Sequence, residues 1–258
     1  MRKKVIELVF FGIFFFLLFF FLFQGATSLG YNWQWFRIFK FFLIVNDGKI
    51  ILGPFLKGLF VTFQISLLSF ILTSILGFAF GIFRVVNSFV ARLLGYFYVE
   101  VFRNTPLIIQ IFFFYFVIAP VFNISGFWSA VIALSFFEGA YACEIVRAGI
   151  ESVDKGQWEG SFSLGLNKTK TMYYIIIPQA IKKVILPLTN IFISLIKDSA
   201  LVSVIAVYDL TMQAQKAISE TFMTFEIWLT VAFTYFIINV IISMTLKLLS
   251  YKMKWGDA

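Results

Sequence analysis

Apolar residues come in long blocks, not in the alternation of a sheet or the single stripe of a soluble helix. Six blocks stand out, at residues 5–23, 55–83, 98–116, 127–146, 185–207 and 227–249. Each reaches the about 17–25 residues that carry a helix across a bilayer. The pattern predicts an all-α, polytopic membrane protein of about six transmembrane helices, an N-terminal span followed by a five-helix core. Arg2, Lys3 and Lys4 precede the first block as they would in a signal peptide. A signal core is shorter, about 7–15 residues, so the first block reads as a retained span; cleavage near 24–28 would leave the remaining topology unchanged. Residues 24–53 are mixed, and the stretch YNWQWFRIFKFF suits a segment lying in the membrane interface with Trp33 and Trp35 at headgroup level. A division follows, with residues 1–53 as span plus interfacial segment and residues 54–258 as the membrane core.

Within the second block Thr62, Ser66, Ser69, Thr73, Gly77 and Gly81 recur every three or four residues and share one helix face. Small and hydroxyl side chains on one face let membrane helices approach closely, so a helix–helix seam outweighs a pathway lining. Residues 120–126 read as a brief turn. Between the fourth and fifth blocks lies a basic island, KGQWEGSFSLGLNKTKTMYYIIIPQAIKKVILP, at 155–187. Its pattern predicts a short helix over 158–164, Gly165 in the left-handed conformation that ends helices, and Asn167 capping a second helix over 168–176. Pro178 discourages that helix from continuing in line.

Composition narrows the chemistry. The chain has 258 residues, 61% hydrophobic and 13% charged, with 37 phenylalanines; soluble domains carry about 25% charged residues. Histidine is absent and Cys143 is the single cysteine, so an internal disulfide is excluded and a metal centre or a histidine-based catalytic site is not expected. No GxxxxGK[ST] phosphate loop occurs. The net charge of +8 sits at the ends of apolar blocks, where membrane orientation explains it better than nucleic acid does. With the N-terminus inside, Arg84, Arg92, Arg147, Lys155, Lys168, Lys170, Lys182, Lys183 and the tail lysines 247, 252 and 254 share its side. Arg37, Lys40, Lys49, Lys57 and Lys216 face out. Both termini are therefore expected in the cytoplasm, with the basic island.

Charges inside apolar blocks are candidates for function, because each costs several kcal/mol unless paired or hydrated. Glu138 lies well inside the fourth block. Lys197 and Asp198 lie together in the fifth, and adjacent helical residues point about 100° apart, so each needs its own partner or the helix is interrupted. Glu100 and Arg103 are three apart and can pair on one face, with Pro106 just beyond to kink or start a helix. Arg84 and Arg92 bracket a short loop, and Glu144 with Arg147 reads as a surface ion pair.

Glu159, Gly165, Ile175, Ile177 and Pro178 fall in the spacing E-x-x, three residues, G, nine residues, I-x-I-P. This resembles the cytoplasmic signature of the permease subunits of ABC importers, with Gly160 and Ser161 in place of the family's alanines and Ile177 in place of its leucine. FRNTPLIIQ at 102–110 and ISLIKDSALVSV at 193–204 resemble further signatures of the polar amino acid branch. The resemblance implies a coupling elbow, made of Glu159, Gly160, Ser161, Gly165, Ile175, Ile177 and Pro178, that docks on an ATPase dimer. ATP and Mg would be bound by that partner, and no cofactor by this chain, which would not itself be an enzyme. It implies a second permease subunit, identical or related, an extracytoplasmic solute-binding protein, and a bacterial inner-membrane location among lipid, with no nucleic acid partner. A substrate pathway would involve Glu138, Asp198, Lys197, Arg103, Thr105 and Gln110, and the FRNTPL form leans towards glutamate, aspartate or glutamine. The alternative is an ion-coupled secondary transporter of small polar solutes, whose inverted repeat is not evident.

Overall fold

The computed structural model describes residues 2–28, 30–46 and 48–252. Helix α1 (Arg2–Ser28) carries the first apolar block. A short turn at Trp35–Arg37 leads to α2 (Phe39–Phe42) and to two strands, β1 (Leu43–Asn46) and β2 (Lys49–Leu52). The strands pair antiparallel, Leu43 opposite Leu52. The sequence pattern predicts only an interfacial segment here, without strands. The hairpin's cause is local: β-branched residues on both arms and Gly48 at φ +72° in the turn. Tyr31 donates a hydrogen bond from its hydroxyl to the fully buried Glu226, and the Gln34 backbone N–H donates to the same carboxylate at 2.6 Å. Trp33 stacks against Trp35, so the aromatic segment is fastened to the start of the last helix.

The membrane core consists of α3 (Pro54–Val85), α4 (Phe89–Arg103), α5 (Leu107–Phe112), α6 (Ala119–Phe122), α7 (Gly126–Glu151), α8 (Lys155–Ser163), α9 (Lys168–Thr171), α10 (Ile177–Asp198), α11 (Leu210–Thr221) and α12 (Thr224–Lys252). Among the described residues, α3, α7, the run Lys168–Ile205 and Thr224–Leu246 are long and apolar enough to cross a membrane. Phe89–Arg103 with Leu107–Phe122 forms a fifth segment, bent by 104°. The expected count of six rests in addition on α1. Lys254 of the tail lies outside the described residues.

Two prolines do less than expected. The helix runs through Pro120 to Phe122, and the turn is confined to 123–125, with Asn123 at φ 52°. Likewise α10 continues the line of α9 through Pro178 instead of breaking there. In both places a wide π-helical stretch, Phe113–Ile118 or Met172–Ile176, lies just before the proline. A proline lacks the N–H of the normal ladder and presses its ring on the carbonyl of residue i−4. Phe116 and Tyr174 are those residues, and the wider turn gives the ring room. The loop after α3 is also tighter than the bracket of Arg84 and Arg92, since α4 already begins at Phe89, with Ser88 as its cap.

The small-residue face of α3 packs on α7 as a seam from Ser69 onward, while Thr62 meets α11, accepting from the Leu210 N–H at 3.3 Å. All six residues of the face are buried. A Cβ on Gly77 would sit 2.4 Å from the Ala142 Cβ, and one on Gly81 2.7 Å from the Val146 Cβ. Across the seam the Ser135 hydroxyl donates to the Ser69 carbonyl and the Ser69 hydroxyl to the Val131 carbonyl, both at 3.3 Å. Ile65, Leu134, Leu195 and Val202 close the core between α3, α7 and α10.

Between the last two spans, Asp209 caps α11, accepting from the Met212 N–H at 2.8 Å and from the Tyr235 hydroxyl at 3.4 Å. Burial pushes its carboxyl from 3.8 up to about 6 against those hydrogen bonds. The folded chain thus holds a proton that the unfolded chain releases earlier, so this group's contribution is full below 3.8 and is lost as pH rises through about 6. Asp209→Asn keeps a good cap and is expected to flatten the fall in melting temperature between pH 4 and about 6. Thermal unfolding followed across pH checks this, and an unaltered slope would contradict it.

Candidate functional site

Three polar features interrupt this apolar architecture, the first at the membrane's edge. Helix α8 starts under an Asp154 cap and ends at Gly165, φ +78°, where the Gly165 N–H donates to the Phe162 carbonyl at 2.9 Å and the Leu166 N–H to the Ser161 carbonyl at 3.1 Å. This pair of bonds closes a helix through a left-handed glycine. Asn167 then caps α9, its side-chain oxygen accepting from the Lys170 N–H at 2.9 Å. The elbow is held to α10 by a Gln179–Gln157 side-chain bond of 3.0 Å, and Lys183 of α10 donates to the Ser152 carbonyl at the end of α7 at 2.6 Å. Glu159 and Gly160 are exposed and Ser161 is buried, its hydroxyl donating to the Gln157 carbonyl. Ile175 and Ile177 are half-buried and Pro178 is exposed. Leu164, at the apex, is 83% exposed. The result is a rigid two-helix knob with an apolar tip.

The second feature is at membrane depth. Glu138, near the middle of α7, is only 6% exposed, and its carboxyl neighbours Asp198 of α10. Lys197 is close enough to act on both carboxyls through its charge. The two α10 residues diverge as adjacent helical residues must: Asp198 turns inward to Glu138 and Lys197 is exposed. The α-helix also ends there, giving way at Ser199–Ile205 to a tighter 3-10 run. Acids 60 positions apart in sequence, on two spans, thus come together, with Lys197 at the margin of the pair.

The third feature is the break between α4 and α5. The Thr105 hydroxyl donates to the Val101 carbonyl at 2.8 Å, and the Gln110 amide donates to the carbonyls of Phe102 and Thr105 at 2.8 and 2.9 Å. Both side chains satisfy carbonyls that the bend leaves without ladder partners. The Gln110 Oε1 atom is buried without a hydrogen-bond partner among the described residues. Arg103 does not pair with Glu100. Its guanidinium lies over the Tyr141 ring, 5.0 Å from the centroid, while Glu100 accepts from the Asn104 amide at 2.7 Å.

The Glu144–Arg147 pair is not a simple surface contact either. Glu144 also accepts from Arg84 of α3, and Arg147 donates to Glu151 at 2.6 Å. These four charges tie the C-terminal ends of α3 and α7 together. Their spacing in sequence carries no sign of Arg84, because its partner comes from another span. Among the described residues no group of three or more side chains could hold a metal ion.

Residues 74–255 match the family described as binding-protein-dependent transport system inner membrane component. The glutamine transport system permease protein of Escherichia coli (strain K12) is 36% identical over 202 residues, covering 77% of this chain and 92% of that protein. The L-cystine transport system permease protein of Bacillus subtilis (strain 168) is 40% identical over 190 residues, covering 72% and 81%. A crystal structure of an amino acid ABC transporter with histidines superposes with a TM-score of 0.71 at 36% identity, over 77% of this chain and 94% of that one. The methionine transporter structure, at 16% identity and a TM-score of 0.65, shares the fold.

Proposed function

This chain belongs to the family of binding-protein-dependent transport inner-membrane components, the permease subunits of ABC importers, and from that premise we propose that it moves polar L-amino acids of the glutamate, aspartate and glutamine kind into the cytoplasm. The observation that carries the mechanism is the elbow, a capped and rigid knob with Leu164 at its apex, continuous through α9 with the long span that ends at Asp198. A partner ATPase dimer, holding ATP and Mg, grips Glu159, Gly160, Ser161 and Gly165. Ile175, Ile177 and Pro178 transmit the pull into α10. Because α9, the π stretch and α10 are one helix, a displacement at the knob moves Lys197 and Asp198 relative to Glu138. That is where access to a transported solute switches. Arg103, Thr105 and Gln110 complete the pathway on the α4–α5 side. The working unit comprises this chain, a second permease subunit, the ATPase dimer and an extracytoplasmic binding protein, with both termini of this chain in the cytoplasm. Residues 54–258 form the permease core and residues 1–53 precede it. The glutamine and L-cystine names of the relatives support the substrate class.

A cross-link tests the docking. In a Cys143→Ala background, Leu164→Cys is expected to cross-link to the ATPase subunit in the purified complex, whereas Phe222→Cys, 80% exposed at the other end of the molecule, is not. Cross-linking at 222 and not at 164 would place the ATPase on the wrong side.

A further inference from the structure

A cavity of about 260 Å³ opens between α4 and α7, lined by Val99, Glu100, Arg103, Asn104 and Tyr141. We propose that it is a binding site for the zwitterionic end of an α-amino acid, with Arg103 taking the carboxylate and Glu100 the ammonium group. This rests on the reading of the chain as an amino acid permease.

Depth is the first ground. From Phe89 to Arg103 the helix climbs 14 residues from the loop at 86–88, about 21 Å at 1.5 Å per residue. A hydrocarbon layer is about 30 Å thick, and Arg103 lies over Tyr141, in the interior of the α7 span. Glu100 and Arg103 are both exposed on the single chain. Charges at that depth do not face lipid; they line water or protein.

The second ground is that the two charges leave each other alone. They sit three residues apart, with Cβ atoms about 5–6 Å apart on one helix face, yet they form no ion pair among the described residues. Arg103 is drawn onto the Tyr141 ring at 5.0 Å and Glu100 keeps one oxygen on Asn104 at 2.7 Å. A guanidinium held by a ring face keeps its edge N–H groups for bidentate contact with a carboxylate. Glu100 Oε1 has no hydrogen bond among the described residues. An α-amino acid presents an ammonium and a carboxylate on one carbon, and this cavity is lined by one acid and one guanidinium. Size agrees, since the cavity lies just below the about 300–1,000 Å³ of pockets for drug-sized ligands.

Tyr141 is one turn along α7 from Glu138, so this pocket and the Glu138–Asp198 cluster flank the same stretch of helix. The pocket reads what all α-amino acids share and leaves side-chain discrimination to other groups.

The test is equilibrium binding of glutamine, and of its decarboxylated amine 4-aminobutanamide, to the detergent-solubilised complex of permease and ATPase without binding protein. Wild type is expected to bind glutamine at least tenfold more tightly than the amine. Arg103→Gln is expected to reduce glutamine to the amine's affinity and leave the amine unchanged. Glu100→Gln is expected to weaken both ligands by the same factor. No saturable glutamine binding by wild type, equal weakening of both ligands by Arg103→Gln, or loss of the second permease subunit from the Arg103→Gln complex would overturn the site. ATP-driven uptake is scored separately: its absence in wild type removes the transport reading, whereas its presence with unaltered Arg103→Gln binding removes the pocket alone.

Discussion

Gly165→Val is expected to abolish ATP-driven uptake, at least tenfold below wild type, while the chain still inserts and assembles. Gly165 adopts φ +78°, and nothing lies within 4 Å of where a Cβ would be. The penalty is therefore backbone strain and not a clash. A left-handed conformation costs an ordinary L-residue about 1–2 kcal/mol, and β-branching makes valine a poor occupant of it. The two hydrogen bonds that close α8 depend on that conformation. The elbow relieves the strain by re-aiming α8 against α9, because it is surface structure and the spans beneath it are packed. A misaimed knob no longer seats on the ATPase, and ATP hydrolysis separates from movement of α10. Gly165→Asn, which tolerates the left-handed region, is expected to retain most activity. The readout is uptake together with ATP hydrolysis stimulated by the loaded binding protein. Undiminished coupling in Gly165→Val would sink the docking role.

Glu138→Gln is expected to lower transport at least tenfold with assembly intact. The amide matches the carboxylate in size and keeps hydrogen-bonding capacity towards Asp198, so packing in the middle of α7 is preserved. The change removes one acid from the Glu138–Asp198 pair at the point where α10 gives way to a 3-10 run. If the pair meets the passing solute or sets the switch between its two access states, its charge decides the rate. Uptake by the Glu138→Gln complex at the wild-type rate, at equal protein in the membrane, would remove Glu138 from the pathway.

Features written in neighbouring residues were legible before any coordinates. The seam of α3 followed from small residues at every third or fourth position, because close approach of two backbones demands just that. The elbow's turn followed from Gly165 and Asn167, whose roles are set within five residues. Features that need a partner from elsewhere were not legible. Pro178 signalled a break, yet the π stretch before it let α10 run on. Glu100 and Arg103 had the spacing of an ion pair, but Tyr141 and Asn104 claimed them separately. Arg84 belongs to the Glu144 network through a contact 60 residues away in sequence. The cluster at Glu138 was half legible: three buried-block charges were visible, and only folding showed that two of them meet. The hairpin at 43–52 was hidden because its β-branched arms also fit an apolar interfacial stretch.

The most direct measurement is amino acid uptake into proteoliposomes containing this chain, its ATPase and its binding protein, with and without ATP on the ATPase side. The account predicts uptake that requires ATP and is competed by glutamine, glutamate or aspartate. Uptake driven by an ion gradient in the absence of ATP would contradict it.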